Sequence, residues 1–451
     1  MKIDDINEVT LSDNYNILVE HSYNFNLQDV KEPQLYRNFF DYTSIPKVAF
    51  NFRHVPMDCP KNIWITDTTF RDGQQSRSPY TVEQIVELYK LLNRLGGPNG
   101  LIRQSEFFLY TEKDREAVEK CKELGFKFPE ITSWIRANVN DFQLVKDMGI
   151  EETGILVSCS DYHIFKKMKL TRKQALDKYL GIIKDALSAG IKPRCHFEDI
   201  TRADFYGFVI PFAHELKALM DESGIPIKIR CCDTLGYGVT YPGTSLPRSV
   251  QGIIYGLKHY AEFPSELLEW HGHNDFYKSV VNSTTAWLYG ASSVNCSLKG
   301  TDSGMDLSAI TDIARYMEKE TGFIIPPNMP FVGKNFNVTR AGIHADGILK
   351  DEEIYNIFDT ETLLNRKIGV AVDSHSGLAG ITYWINSYFK LPDEMKIQKG
   401  DVIVSDMKEK VDALYSKGRT TALADYELKE IMKEIDIDYY RRLKEIRKKN
   451  N

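Results

Sequence analysis

Several features that would mark a special class of protein are missing from this sequence. No apolar run is long enough to cross a bilayer, and the opening MKIDDINEVTLSDN has no basic-then-apolar leader pattern. Neither sign of charge dominates: 57 Lys and Arg stand against 63 Asp and Glu, a net of −6. That balance gives no electrostatic footprint for general nucleic-acid binding. The seven cysteines show no paired spacing, and the adjacent Cys231 and Cys232 are poorly placed to bridge each other. Reduced thiols in a cytoplasmic protein are the expectation, with neither membrane nor nucleic acid as partner. Low-complexity segments are absent too. Only the C-terminal RRLKEIRKKN is strongly basic, and it reads as a solvated helix end or as an anion-binding arm.

What is present, from about residue 62, is a pattern repeated without repeated sequence. Short apolar segments end in polar residues: NIWITDTTFRDG, LIRQSEFFLY, FPEITSWIRA, ETGILVSCSD, IKPRCHFED, IKIRCCDTLG, LLEWHGHND and SSVNCSLKGT. Between them lie stretches such as TVEQIVELYKLLNRLG and TRKQALDKYLGIIKDALSAG, where apolar residues recur at three- and four-residue steps. Strands alternating with helices imply parallel strands and helical crossovers. Eight such units fit a closed α/β barrel, the (β/α)8 TIM barrel, of about 250 residues. The rival is a doubly wound open sheet, which calls for a glycine-rich phosphate turn after the first strand. TDTTFRDGQQS has no GxGxxG. The expected organisation is an N-terminal arm at 1–60, the barrel at 61–325, a lid-like helical subdomain at 326–394 and a helical tail at 395–451.

In such a barrel the active site gathers at the C-terminal ends of the strands. The polar residues fall there: Arg71 and Asp72 in unit one, Glu106 in two, Arg136 in three, Glu198 and Asp199 in five, Asp233 and Thr234 in six. In WHGHND, His271 and His273 are two apart on a strand and so point to one side. With Asp72 they make an oxygen-nitrogen-nitrogen ligand set that leaves about half of an octahedral shell open. Mn²⁺, Mg²⁺, Co²⁺, Fe²⁺ and Zn²⁺ all suit it. A 2-oxo acid could chelate the open positions, and Arg71 could stabilise the alkoxide that forms when carbon attacks the carbonyl. Plain structural roles stand beside these: an ion pair of Glu198 with Arg202, a helix-cap role for His344, a core position for His196, and core packing for Cys159, Cys231, Cys232 and Cys296.

The motifs DTTFRDGQQ (67–75), IRQSEFFLY (102–110), ITSWIRA (131–137), SCSDYH (158–163), FEDITRAD (197–204), CDTLGYG (232–238), HGHNDF (271–276) and VGKNFNVTRAGIHADG (332–347) carry a resemblance. The sequence resembles the metal-dependent barrel enzymes that include 2-isopropylmalate synthase, homocitrate synthase, citramalate synthase and HMG-CoA lyase. Within that group it looks most like the Re-face-stereospecific, citrate-forming branch. The resemblance implies a divalent ion, Mn²⁺ or Mg²⁺ first, on Asp72, His271 and His273. It implies condensation of acetyl-CoA with oxaloacetate and thioester hydrolysis. Arg71, Glu198 and His344 match catalytic positions, and Gln75, Glu106, Arg136 and Thr234 substrate-binding ones. It implies a homodimer in which the lid histidine reaches a neighbour's site. Arg136 favours a dicarboxylic oxo acid, because a buried carboxylate needs such a partner.

One segment departs from the family. Relatives carry a GxGERxGN turn after strand eight; this chain has SLKGTDSGMDLSAI, with Met305 where an asparagine is expected and Asp302 or Ser303 as stand-ins. Methionine is a poor ligand for a hard cation. The alternatives are therefore a related acyl-CoA/2-oxo acid synthase or a non-catalytic oxo-acid-binding homologue.

Overall fold

The computed structural model describes residues 25–40, 42–43, 47–75, 79–296, 306–339, 342–356 and 358–449, with the backbone of two short N-terminal strands. Those strands, β1 (Val9–Ser12) and β2 (Ile17–Glu20), pair antiparallel. Eight more run parallel: β3 (Trp64–Asp67), β4 (Ile102–Phe107), β5 (Glu130–Arg136), β6 (Glu152–Ser158), β7 (Lys192–Glu198), β8 (Lys228–Asp233), β9 (Leu268–Gly272) and β10 (Ser293–Cys296). β10 pairs with both β9 and β3, which closes the barrel and excludes the open sheet. The helices α1 (Val82–Gly96), α2 (Glu112–Glu123), α3 (Val139–Asp147), α4 (Arg172–Ser188), α5 (Ile210–Ser223), α6 (Val250–His259) and α7 (Ser279–Leu288) make the crossovers. Three of them start at threonine capping boxes: Thr81 with Gln84, Thr111 with Asp114, and Thr171 with Gln174. Each hydroxyl accepts from the N–H three residues on, and that residue's side chain accepts from the threonine N–H. Among the described residues ahead of β3, the Gln28 N–H donates to the Gly207 carbonyl and the Asn51 N–H to that of Gly243.

The strands alternate, and the alternation is unusual in kind. Many outward positions are apolar and meet the helices: Phe197 stacks on Phe212 of α5 at 5.0 Å, and Phe107 lies 6.1 Å from Tyr89 of α1. Many inward positions are charged or polar. Arg194 of β7 and Arg230 of β8, both wholly buried, converge on Glu106 of β4. Arg194 also pairs with Glu152 at 2.9 Å, Arg230 with Glu269 at 3.0 Å, and Lys228 with Glu152 at 2.8 Å. Three cations thus face three carboxylates within the barrel, where branched aliphatic side chains are the rule. His196 lies in the same layer, and burial pushes it down to about 3, so it stays neutral and leaves that balance intact. The crowding fixes Gly154 on β6: a Cβ there would stand 2.5 Å from His196 Nε2 and 3.0 Å from Glu106 Oε2.

The chain divides into two compact units, residues 1–305 and 306–451. The second contains α8 (Ser308–Thr321), β11 (Val338–Thr339), α9 (Gly342–Lys350), α10 (Thr360–Leu364), β12 (Gly369–Val370), α11 (Leu378–Phe389), α12 (Val402–Ser416), α13 (Asp425–Ile435) and α14 (Ile437–Lys449). The division falls ahead of the boundary expected at 325. The segments expected as separate, 326–394 and 395–451, share one apolar cluster in which Trp384, Ile385 and Phe389 of α11 meet Val404, Met407, Leu428, Met432 and Leu443. α11 is buried on most of its circumference, so it needs the three amphipathic helices that follow.

Removing one member of the interior network leaves a buried charge unanswered. Glu106→Ala is expected to cost about 3–5 kcal/mol of stability in urea unfolding; a change within error contradicts the network's role. Burial opposes ionisation of Glu106, Glu152 and Glu269, but the arginines and Lys228 outweigh it and hold all three carboxyls below their usual range. Depressed folded values mean that this stability is complete above the unfolded value of about 4.3. It is lost as pH falls from there through the folded values.

Candidate active site

Above the ionic layer, the next inward positions belong to Asp72, His271 and Asn295. Asp72 opens a short turn just beyond β3, and its carboxylate accepts from Thr68 Oγ1 at 3.0 Å and contacts the Arg71 guanidinium. His271, buried on β9, has its Nδ1 2.7 Å from Asn295 Oδ1. The Asn295 amide nitrogen donates to Thr66 Oγ1 at 2.8 Å, so its oxygen is the acceptor toward His271. Nδ1 therefore carries the proton, and the lone pair sits on Nε2, which faces Asp72 Oδ2 at 3.7 Å. Burial lowers His271 to about 4, and it is neutral at ordinary pH. Burial works against the charged form of Asp72 as well, but the Arg71 guanidinium beside it holds its carboxyl below the usual range.

A lone pair and a carboxylate oxygen facing each other without a proton between them suit a cation. Two ligands each about 2.1 Å from one ion lie roughly 3.0–4.2 Å apart, depending on angle. The Asp72–His271 separation falls within that span. The outer bond from Asn295 is the kind that orients a metal-ligating imidazole. The third expected ligand, His273, lies just past β9, exposed on the rim, with its ring edge-on to His271 at 5.0 Å between centroids. Among the described residues no three His, Cys, Asp or Glu side chains converge as a finished cage. Asp72 and His271 fit the ion, and His273 stands beside them.

Arg71 lies over Trp134 at 4.3 Å from the ring centroid and contacts Asp72, which fixes its charge beside the candidate ligand. Glu198 closes β7. Its partner is not Arg202, which binds Asp199 at 2.7 Å instead. Glu198 is met by His163 at 3.0 Å, by the Ser158 hydroxyl and by Lys167 at 3.6 Å. Burial would raise its pKa, but these neighbours outweigh it and hold the carboxyl down at about 2. Thr234, just after β8, accepts from the Asp199 N–H at 2.9 Å. Gln75 is exposed at the rim.

Two expected substrate residues are already engaged. Glu106 is bound by Arg194 and Arg230 in the interior. The Arg136 side chain is 62% exposed rather than buried, and Asp141 holds it through two contacts, at 2.8 and 2.9 Å. His344 lies on α9 of the second unit, with its ring 4.2 Å from that of Tyr355 and Nδ1 3.1 Å from Thr339 Oγ1. Asp302, Ser303 and Met305 of the divergent turn lie outside the described residues. His196 and the cysteines at 159, 231 and 232 are core residues, as read. Sequence reasoning missed His163, which sits in the quoted SCSDYH, and Asn295, one polar residue within an otherwise ordinary strand.

The sequence profile of the family described as HMGL-like matches residues 62–332. The chain is 55% identical over 436 residues to the citrate (Re)-synthase of Clostridium kluyveri, covering 92% of this chain and 96% of that protein. It is 52% identical over 433 residues to the citrate (Re)-synthase of Syntrophus aciditrophicus, covering 91% of this chain and 69% of that one. The 2-phosphinomethylmalate synthase of Streptomyces hygroscopicus is 32% identical over 438 residues, with 90% and 98% covered.

The Asn295 bond yields a direct check. Asn295→Leu frees His271 Nδ1 and is expected to weaken Mn²⁺ binding by about 10–100-fold in calorimetry, with the far-ultraviolet dichroism unchanged. Undiminished affinity contradicts the tautomer assignment.

Proposed function

Because the chain belongs to the HMGL-like family, we propose that it condenses acetyl-CoA with oxaloacetate and hydrolyses the thioester, a citrate (Re)-synthase reaction. The choice of substrates is carried by the likeness to two proteins of that name over nine-tenths of the chain. The metal-assisted part is carried by one observation: the neutral His271 turns its lone pair toward the ionised Asp72. In the overall reaction a proton leaves the acetyl methyl group and its carbon bonds to the keto carbon. The keto oxygen becomes the hydroxyl, and water cleaves the thioester to release citrate and CoA.

A divalent cation held by Asp72, His271 and His273 would polarise the keto carbonyl as a Lewis acid. Arg71 supplies hydrogen bonds and a fixed positive charge where negative charge develops on that oxygen, and its stacking on Trp134 limits the reorganisation needed. Glu198 and His163, side by side at 3.0 Å, are the pair assigned to the proton transfers. Thr234 orients the oxo acid from the end of β8. The finer expectations of Mn²⁺ or Mg²⁺, a homodimer and a cytoplasmic setting rest on the resemblance. The seven free cysteines support the last.

Purified protein given Mn²⁺, oxaloacetate and acetyl-CoA is expected to release free thiol, and pyruvate, 2-oxoglutarate or 2-oxoisovalerate to replace oxaloacetate poorly. His273→Ala is expected to lower the rate by more than about 100-fold, beyond the usual reach of an outer-shell residue. Wild-type turnover in that variant rules out His273 as a ligand, and no thiol release from metal-loaded wild type rules out the reaction.

A further inference from the structure

Four arginines are buried among the described residues, and three of them face carboxylates. Arg172 is held by Asp161 and Asp204, and Arg194 and Arg230 by the interior glutamates. Arg248 is different. It is 5% exposed, and its Nε and Nη1 are buried without a hydrogen-bond partner. Its guanidinium lies between two aromatic faces, 4.6 Å from the centroid of Phe40 and 4.3 Å from that of Tyr237. Burial lowers its pKa to about 10, so the cation is kept against a desolvation penalty that Asp199 and Asp233 offset only in part, without a hydrogen bond to either.

The nearest candidates for that role are committed elsewhere. Asp199 binds Arg202 and Ser160. Asp233 accepts from Thr201 Oγ1 and from the N–H groups of Tyr237 and Gly238, each at 2.8 Å. The positive charge is reinforced: Tyr237 stacks on Phe276 at 5.8 Å, and the Lys278 ammonium lies 5.4 Å over that ring. The cluster belongs to the barrel mouth. Tyr237 lies in the turn after β8, and that turn abuts the residue after β9. A Cβ on Gly236, where φ is +65°, would stand 3.1 Å from the His273 carbonyl oxygen. With both faces covered, a guanidinium can take a ligand only at its edge, through a planar fork that matches a carboxylate.

We propose that Arg248, clasped between Phe40 and Tyr237 on the barrel rim, binds the distal carboxylate of the dicarboxylic oxo acid. This rests on the condensation reaction above, and it assigns specificity to a residue other than Arg136, whose fork already holds Asp141. A monocarboxylic oxo acid leaves the buried cation unanswered and is rejected for that reason.

Two variants, Arg248→Met and Arg248→Lys, test the assignment through calorimetric binding of malate and lactate in the presence of Mn²⁺, together with steady-state KM values. Malate binding is expected to fall at least about 30-fold in Arg248→Met, the low end for stripping one partner from a buried charged pair, and to be partly restored in Arg248→Lys. Lactate binding and the acetyl-CoA KM should not move, while the oxaloacetate KM rises. The melting temperature of unliganded Arg248→Met should equal or exceed that of wild type, because a buried and only partly compensated charge is gone; a structural role predicts a drop. Unchanged malate affinity overturns the proposal. So does an effect confined to acetyl-CoA, which would assign the fork to phosphates, or a loss of binding that merely tracks a lowered melting temperature. Malate binding through Arg248 in a protein that releases no CoA would sink the reaction and leave this site standing; CoA release with normal malate affinity in Arg248→Met would do the reverse.

Discussion

Glu106 lies wholly inside the barrel between two guanidinium groups, those of Arg194 and Arg230, and much of the molecule is arranged around that contact. A charge of one sign could not be buried alone at this depth. Glu152, Glu269 and Lys228 complete an even balance, His196 stays neutral, and β6 gives up a side chain at Gly154 to make room. Such a network adds less net stability than an aliphatic core of equal volume. What it provides is fixed geometry, because each member is held by several others.

That geometry extends to the candidate site through a continuous series of contacts. Glu106 pairs with Arg230, Arg230 with Glu269, Glu269 with the Thr66 hydroxyl, Thr66 with Asn295, and Asn295 with His271, whose free nitrogen faces Asp72. The tautomer of His271 is thus set from below by the barrel interior. The rim above carries the rest of the candidate chemistry: Arg71 on Trp134, Glu198 beside His163, and Arg248 between two rings. A rigid support beneath the side chains that meet a ligand is what holds them in a productive arrangement.

The architecture was legible because its signals are local. Strand ends and helical periods, as in TVEQIVELYKLLNRLG, are written in residues within a few positions of one another. Asp72 and His271 were legible for a similar reason: each sits at a strand's C-terminal end, where a barrel gathers its chemistry. The inner partners were not. Glu106 and Arg230 are 124 positions apart, and nothing in IRQSEF distinguishes an interior ion pair from a substrate contact. Arg136 was read as buried, but Asp141, five residues on at the start of α3, draws it out to the surface. Arg248 escaped notice because PRSV looks like a loop, and only the fold lays Phe40 and Tyr237 over its faces.

The central claim is that Asp72 and His271 grip one divalent ion, with His273 completing the protein ligands. Crystals grown with Mn²⁺ and recorded at the manganese absorption edge test it most directly. The predicted result is one anomalous peak at the barrel mouth, about 2.1 Å from Asp72 Oδ2 and His271 Nε2, with the His273 ring turned toward it. A peak bound elsewhere, or a mouth without one in crystals that contain manganese, would contradict the claim.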